Sequence, residues 1–449
     1  MFRKILIANR SEIACRVARA ARALGVKTVA VYSDADANAL HVQACDEAVR
    51  LGPAPAKESY LDGAKVIAAA KQTGAEAIHP GYGFLSEQAD FAEACAQAGL
   101  VFVGPPASAM RSLKDKAQAR AVMRDAGVPI VPGSAGHVGD EASARAAAAS
   151  IGFPLLVKAA AGGGGIGMQV ARDDAELVKA LRACADRARA SFGKDAVYLE
   201  RYFELPRHVE VQIFGDGRLT LAAGARECSI QRRHQKVIEE APAPAFDGKP
   251  DLLRKLLGAG LKAAKAVGYA NAGTCEFLLS DGEIYFIELN ARLQVEHPVT
   301  EATTGLDLVQ LQLRIAAGEH LDIGQGDIKV QGHAIECRIN AEDPVKFFPS
   351  PGPVKRFDTP VPADGQFHGG IRIDSGYKAG DTVTPYYDSL LAKIISHAET
   401  RAQATEQLAK ALQGFVVEGV KTNLPLHQKI LASPAFARGE LDTHFLERL

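Results

Sequence analysis

The chain has 449 residues, 47% hydrophobic and 23% charged, with 52 Lys and Arg against 53 Asp and Glu. This is ordinary globular composition, enough for two to four domains at roughly 150 residues each, and the even charge balance argues against a nucleic-acid binder. Seven scattered cysteines without a Cys-x-x-Cys pair read as reduced thiols in the cytoplasm, not as a disulfide frame or zinc site, and no apolar run is long enough for a signal peptide or a membrane span.

The first hundred residues alternate strand and helix. "KILIAN" (4–9) and "VKTVAVYS" (26–33) are short β-branched runs. Between them "SEIACRVARAARALG" has helical spacing and ends at Gly25, a C-terminal cap. "YLDGAKVIAAAKQTG" and "FAEACAQAG" predict helices; "AEAIHP" (75–80) and "LVFVG" (100–104) predict strands. Repeated strand–helix units imply a doubly wound parallel sheet, and Gly81-Tyr82-Gly83 follows a strand end, where such sheets place ligands. From about 105 the pattern changes. "SLKDKAQARAVMRDAGVP" reads as one helix ended by Gly127 and Pro129, "FPLLVKAA" as a strand and "DDAELVKALRACADRARA" as a helix. Extended runs follow at 196–203, 207–217 and 218–228, then a helix at 250–267 and the hairpin "AGTCEFLLSDGEIYFIELNARLQVEH". The segment from about 331 is mixed, with strand-like "HAIECRI" and "GIRIDSG" and closing helices from about 400.

The stretch "AAAGGGGIGMQV" (159–170) carries Gly163, Gly164 and Gly165 between a strand and a helix. Such a loop bares backbone N–H groups to an anion, so phosphate is the ligand it suits, with a flexible surface loop as the plain alternative. Lys158 at the strand end can reach phosphate as a point charge; Lys116 could do the same, but taken alone it reads rather as a solvated helix lysine. In the hairpin, alternation puts Glu288, Asn290 and Arg292 on one face, with Ile287 and Leu289 on the other. A three-residue loop Ser280-Asp281-Gly282 brings Glu276 to the face of Glu288; a two-residue Asp-Gly turn puts it opposite. Two carboxylates and an amide oxygen are hard ligands suited to Mg²⁺; the alternative is a solvated polar face. "QRRHQK" packs Gln231, Arg232, Arg233, His234 and Lys236 together, an anion site or else a basic surface strand. If the extended conformation continues, Arg292, Gln294 and Glu296 share a face, where donors beside one carboxylate suit a small anion and a general base.

"ANRSEIACR", "HPGYGFLSE", "GGGGIGM", "RHVEVQIFGDG", "QRRHQKVIEEAPAP", "FIELNARLQVEHPVTE", "GHAIECRINAEDP" and "YYDSL" occur in the order seen in biotin carboxylases, which the chain resembles over its whole length. The resemblance implies an α/β, ATP-grasp fold. It would have an N-terminal doubly wound pre-ATP-grasp domain (1–112), an ATP-grasp domain (113–330) with a mobile lid at about 134–203, and a mixed α+β C-terminal domain (331–449). It implies ATP- and bicarbonate-dependent carboxylation of biotin on a biotin carboxyl carrier protein, through carboxyphosphate, with Mg²⁺ or Mn²⁺. By resemblance, Lys116, Lys158, the glycine loop, His208, Gln231 and His234 hold ATP. Glu200, Arg201, Tyr202 and Phe203 hold the adenine edge, and Glu276, Glu288 and Asn290 hold the metal. Lys236, Arg292, Gln294 and the Val295 backbone bind bicarbonate, Glu296 is its base, and Arg338 stabilises the biotin enolate.

The chain departs from the family pattern at Ile166, Gln169, Ser11, Lys114 and Ala291. Its glycine loop resembles that of urea carboxylase, while His234 is as in the acyl-CoA carboxylase type. The expected partners are the carrier, a carboxyltransferase and a second copy of the chain. The expected setting is acyl-CoA carboxylation in fatty acid biosynthesis, with a urea carboxylase-like system, another ATP-grasp ligase or a nucleotide-binding paralogue without turnover as alternatives.

Overall fold

The computed structural model describes residues 1–134, 136–159, 168–192, 197–233 and 235–449. The glycine loop with Gly163, Gly164, Gly165 and Ile166, together with His234, lies outside the described residues, as do the side chains of residues 116, 117, 159, 191 and 192.

The N-terminal region builds a parallel five-stranded sheet in the order Glu47–Gly52, Lys27–Ser33, Lys4–Ile7, Ala77–His79, Val101–Phe102. Both faces of the central strand are apolar, which is why its sequence reads as a continuous hydrophobic run. Ile5 and Ile7 pack on one side with Ile13 and Val17 of helix Ser11–Ala23 and with Leu308 and Leu313 of helix Leu308–Ala316. Leu6 and Ile78 pack on the other with Val66 of helix Gly63–Thr73 and Phe91 of helix Ala89–Gln97. The edge strand Glu47–Gly52 was not evident in the sequence because most of its side chains are half-buried or exposed. Ser11 opens its helix at φ 58°, a left-handed conformation that favours glycine.

The single helix expected over 112–129 is two, Ala107–Lys114 and Lys116–Asp125. Asp115 breaks it: its backbone is extended at φ −89° and ψ 115°, and its carboxylate accepts the Gln118 N–H at 2.8 Å as an N-cap. The described residues between 138 and 201 form a small unit with its own core. A three-stranded sheet, Met168–Ala171, Leu155–Ala159, Val197–Arg201, packs Leu155, Val157 and Leu199 against Leu177 and Leu181 of helix Asp174–Phe192.

The largest sheet has eight antiparallel strands, in the order Glu283–Asn290, Asn271–Ser280, Arg207–Gly215, Thr220–Arg232, Gln235–Ala241, His333–Asn340, Leu390–Ala398, Ile371–Ser375. The sequence "HVEVQI" alternates strictly. Val209, Val211 and Ile213 enter an apolar core with helix Pro250–Ala266, while His208, Glu210 and Gln212 face the other way. The last three strands come from the C-terminal third of the chain, whose helix Arg401–Gln413 packs Leu408 and Leu412 against Ile335 and Ile394.

The hairpin differs from expectation in an instructive way. Ser280 pairs with Glu283, so the loop is the two-residue Asp281-Gly282, with φ 53° and 77° as a type I′ turn requires. Alone, this turn would put Glu276 and Glu288 on opposite faces. A β-bulge corrects it: Phe277 pairs with Phe286 but Glu276 pairs with Glu288, so Ile287 is the extra residue. The parity of the strand changes there. Ile284, Phe286 and Leu289 all reach the core, and Ile287, expected beside Leu289, is not part of it.

Candidate active site

Across the large sheet Glu288, Glu276 and Glu210 stand side by side in register on adjacent strands. Like charges directly opposite one another in a sheet repel. Glu210 is fully buried and Glu276 nearly so. The fold sets two cations among them. Lys236 Nζ donates to Glu210 Oε2 at 2.7 Å, Glu276 Oε1 at 2.8 Å and Glu296 Oε1 at 2.7 Å. Arg226, wholly enclosed, pairs with Glu210 and donates to Gln212 Oε1 at 2.7 Å, Thr300 Oγ1 at 2.9 Å and Thr274 Oγ1 at 3.0 Å. Three surrounding carboxylates raise the Lys236 ammonium well above the ordinary lysine value, although burial opposes its charge.

The chain after Asn290 leaves the strand and turns, so the extended run expected through Glu296 does not form. Its side chains converge by another route. Arg292 donates to Asn290 Oδ1 at 3.2 Å and Gln294 Oε1 at 3.1 Å, and is anchored by Glu87 Oε2 at 3.0 Å. Gln294 and Asn290 donate to Glu276 Oε1 at 3.1 Å and 2.8 Å. The Val295 carbonyl accepts Lys393 Nζ at 2.8 Å, and Glu296 stands just before helix His297–Thr304 without capping it through its side chain. Glu296 is fully buried, with Lys236 on one oxygen and Arg338 on the other at 2.8 Å. Burial works against its charge, yet Lys236, Arg338 and Arg226 hold its carboxyl well below the usual range. Glu276 is likewise depressed: Lys236 and His208 outweigh burial. An ionised carboxylate among cationic and amide donors is what a general base acting beside a small anion needs.

Farther along the face, His208 Nε2 lies 3.2 Å from Glu276 Oε2, and its Nδ1 meets the Gln231 amide at 2.8 Å. Glu200 joins Lys158, and Arg120 donates to it at 2.7 Å. The segment Glu200 to Phe203 joins the small unit to the large sheet: Arg201 N–H donates to the Pro132 carbonyl at 2.8 Å, Tyr202 N–H to that of Pro154 at 2.9 Å, and Phe203 stacks on Tyr285 at 4.7 Å. The donor set at Glu276, Glu288 and Asn290 fits a hard divalent cation, since two facing carboxylates relieve their repulsion on one. The structure therefore groups Lys236, Glu276, Asn290, Arg292, Gln294, Glu296 and Arg338 in one bonded network, with His208 and Gln231 on its flank. Sequence reasoning missed Glu210, Arg226, Glu87 and Arg120; Glu210 was legible, since it alternates with His208, but the others enter only through long-range pairing.

This glutamate-lined sheet face, with a short segment joining it to a separately packed small unit, defines an ATP-grasp enzyme. Residues 115–324 match the ATP binding domain of the carbamoyl-phosphate synthase L chain, residues 1–110 the biotin carboxylase N-terminal domain and residues 336–448 the biotin carboxylase C-terminal domain. The biotin carboxylase of Pseudomonas aeruginosa is 50% identical over 450 residues, covering 100% of this chain and 98% of that one. That of Haemophilus influenzae is 49% identical over 452 residues, covering 100% and 99%. The biotin carboxylase domain dimer of Hydrogenobacter thermophilus 2-oxoglutarate carboxylase, solved with MgADP, ADP and bicarbonate, superposes with a TM-score of 0.91 at 44% identity, covering 100% and 98%. The chain belongs to the biotin carboxylase family: it is the ATP-dependent ligase component of a biotin-dependent carboxylase. Among the described residues no helix is long and apolar enough to cross a membrane.

Proposed function

We propose that this face carries out both half-reactions of biotin carboxylation, with the residues in distinct roles. The observation that supports this is the buried carboxylate Glu296, held between Lys236 and Arg338. ATP lies with its adenine edge on the segment Glu200 to Phe203 and its phosphates toward Lys116, Lys158, His208, Gln231, His234 and the glycine loop. Glu276, Glu288 and Asn290 hold Mg²⁺ or Mn²⁺, which supplies charge neutralisation for the phosphates. Lys236, Arg292, Gln294 and the Val295 N–H bind bicarbonate. Glu296 takes the bicarbonate proton as its oxygen attacks the γ-phosphorus; ADP leaves, and carboxyphosphate forms. Carboxyphosphate then gives phosphate and CO₂ beside biotin. That phosphate takes the proton from the biotin ring nitrogen, Arg338 stabilises the negative charge on the ureido oxygen, and the nitrogen attacks CO₂ to form the carboxylated biotin.

The carboxylated biotin belongs to a carrier protein, and a carboxyltransferase passes the carboxyl group to the final acceptor. We place these steps in the cytoplasm, on a homodimer such as that of the 2-oxoglutarate carboxylase domain. The seven free cysteines suit that reducing compartment. Acyl-CoA carboxylation is the setting we favour, because similar chains serve it, the mitochondrial methylcrotonoyl-CoA carboxylase alpha chain of Glycine max among them at 48% identity. Arg338→Ala separates the half-reactions: it is expected to keep bicarbonate-dependent ATP cleavage and lose biotin carboxylation. Equal loss of both activities would contradict the assignment.

A further inference from the structure

Two buried glutamates beside this site have no part in the roles above. Glu239 and Glu336 are direct cross-strand partners in the pair Gln235–Ala241 and His333–Asn340. Both are 0% exposed. No hydrogen bond from a described residue reaches any of their four carboxyl oxygens, although an Arg338 guanidinium nitrogen lies 2.6 Å from Glu239 Oε1. The titratable groups that act on them come from their own strands and three other elements. Arg338, Lys236 and the Cys337 thiol come from their own strands, Cys228 from strand Thr220–Arg232, Glu296 from the start of helix His297–Thr304, and Lys393 from strand Leu390–Ala398; burial holds both thiols protonated. Lys236 is engaged by three other carboxylates, and Lys393 by the Val295 carbonyl and by Glu12 at 3.3 Å.

Two carboxylates facing each other in a dry interior do not both ionise; one keeps its proton, which also gives the pair the donor it otherwise lacks. Burial pushes the Glu239 carboxyl up against the pull of Arg338, and pushes Glu336 well above the ordinary value, with Glu239 adding to the shift. We propose that Glu239 and Glu336 share one proton, and that the resulting monoanion holds Arg338 in place through the biotin half-reaction, which makes both glutamates positioning residues. The inference rests on the role of Arg338 given above. The Arg338 guanidinium spans Glu239 at 2.6 Å and Glu296 at 2.8 Å. When Glu296 accepts the bicarbonate proton it becomes neutral, and its hold on Arg338 weakens. The Glu239–Glu336 pair neither gains nor loses a proton in that step, so its single charge keeps the guanidinium aimed at biotin.

The test uses the whole enzyme and two readouts. Infrared difference spectra between the parent and Glu336→Gln at pH 7 are expected to show loss of a protonated-carboxyl C=O band that shifts on H/D exchange. Absence of that band overturns the shared proton, whatever Arg338 does. In steady-state assays Glu239→Gln is expected to lose about tenfold or more in kcat for biotin carboxylation, since its buried ion pair with Arg338 is lost. Its bicarbonate-dependent ATP cleavage should fall much less. Glu336→Gln offers an amide N–H in place of the proton, so its loss should be much smaller, and the alkaline fall of its biotin carboxylation should move to higher pH. Equal loss of both activities in Glu239→Gln, or no loss in biotin carboxylation, overturns the positioning role. If Glu239→Gln does not fold, the infrared band and the pH profile of Glu336→Gln decide. Failure of the Arg338 assignment itself is read separately, from Arg338→Ala.

Discussion

Replacing Glu296 by Gln keeps the volume of a fully buried side chain and removes one charge. In the parent its two oxygens accept Lys236 Nζ at 2.7 Å and Arg338 at 2.8 Å. Gln presents one oxygen and one N–H₂, so one of the two cations meets a donor. Each hydrogen bond to a charged group is worth about 1.5–3 kcal/mol. Lys236 retains Glu210 and Glu276, and Arg338 retains Glu239, so the net loss of stability should be near that of one such bond, about 2–3 kcal/mol. The kinetic loss should be larger. Without a carboxylate no group at that place removes the bicarbonate proton, and general-base catalysis contributes roughly 10²–10⁴-fold. Bicarbonate-dependent ATP cleavage and biotin carboxylation should therefore fall together by that factor, since the second step consumes the product of the first. The stability difference has a definite pH dependence. The folded-state value of Glu296 is depressed below the ordinary 4.5, so its contribution is present in full above that value and is lost as pH falls through the folded value. Parent and variant should differ most near neutrality and converge in acid. The measurements are coupled ATP-cleavage and biotin assays with denaturation at a series of pH values. ATP cleavage by Glu296→Gln within a few-fold of the parent would refute the base assignment, and a stability gap that widens in acid would refute the charge argument.

Glu276→Gln and Glu288→Gln each keep an oxygen ligand and remove one charge from the metal site. The Mg²⁺ requirement should rise by roughly 10–100-fold, read by Mg²⁺ titration of turnover at fixed ATP. Deleting Ile287 removes the β-bulge and leaves simple pairing through the type I′ turn, with Glu288 still opposite Glu276 and Asn290 still opposite Thr274, so both keep their face. Mg²⁺-dependent turnover should survive the deletion; a folded but inactive deletion would show that the face of Glu288 is not set by this register. Ser11→Gly should stabilise the chain, because Ser11 sits at φ 58° and its buried hydroxyl has no partner among the described residues. Relief of a left-handed residue is worth roughly 1–2 kcal/mol, less about 0.5–1 kcal/mol for glycine entropy, and a rise in Tm checks it.

Much of the molecule is written locally in its sequence. The alternation of "HVEVQI" fixes which side chains leave the core, because successive strand residues point to opposite faces. The apolar runs around Ile5 and Ile78 predict strands covered on both sides, and they are. The family motifs are long enough to identify the chain by themselves, and the curated relatives bear that out. Three features were settled by tertiary structure. Periodicity runs unbroken through residue 115, yet Asp115 ends one helix and caps the next, a choice between two local conformations that packing decides. The Asp281-Gly282 turn alone gives the wrong face, and the extra residue at Ile287 restores it; a bulge has no local signature, since it exists only as a mismatch between two paired strands. Lys236 meets Glu210, Glu276 and Glu296 across 26, 40 and 60 residues of chain. The sequence supplies the charges one strand at a time; only pairing in the eight-stranded sheet brings three carboxylates onto one ammonium, where burial strengthens the attraction that holds them and sets the protonation states on which the chemistry depends.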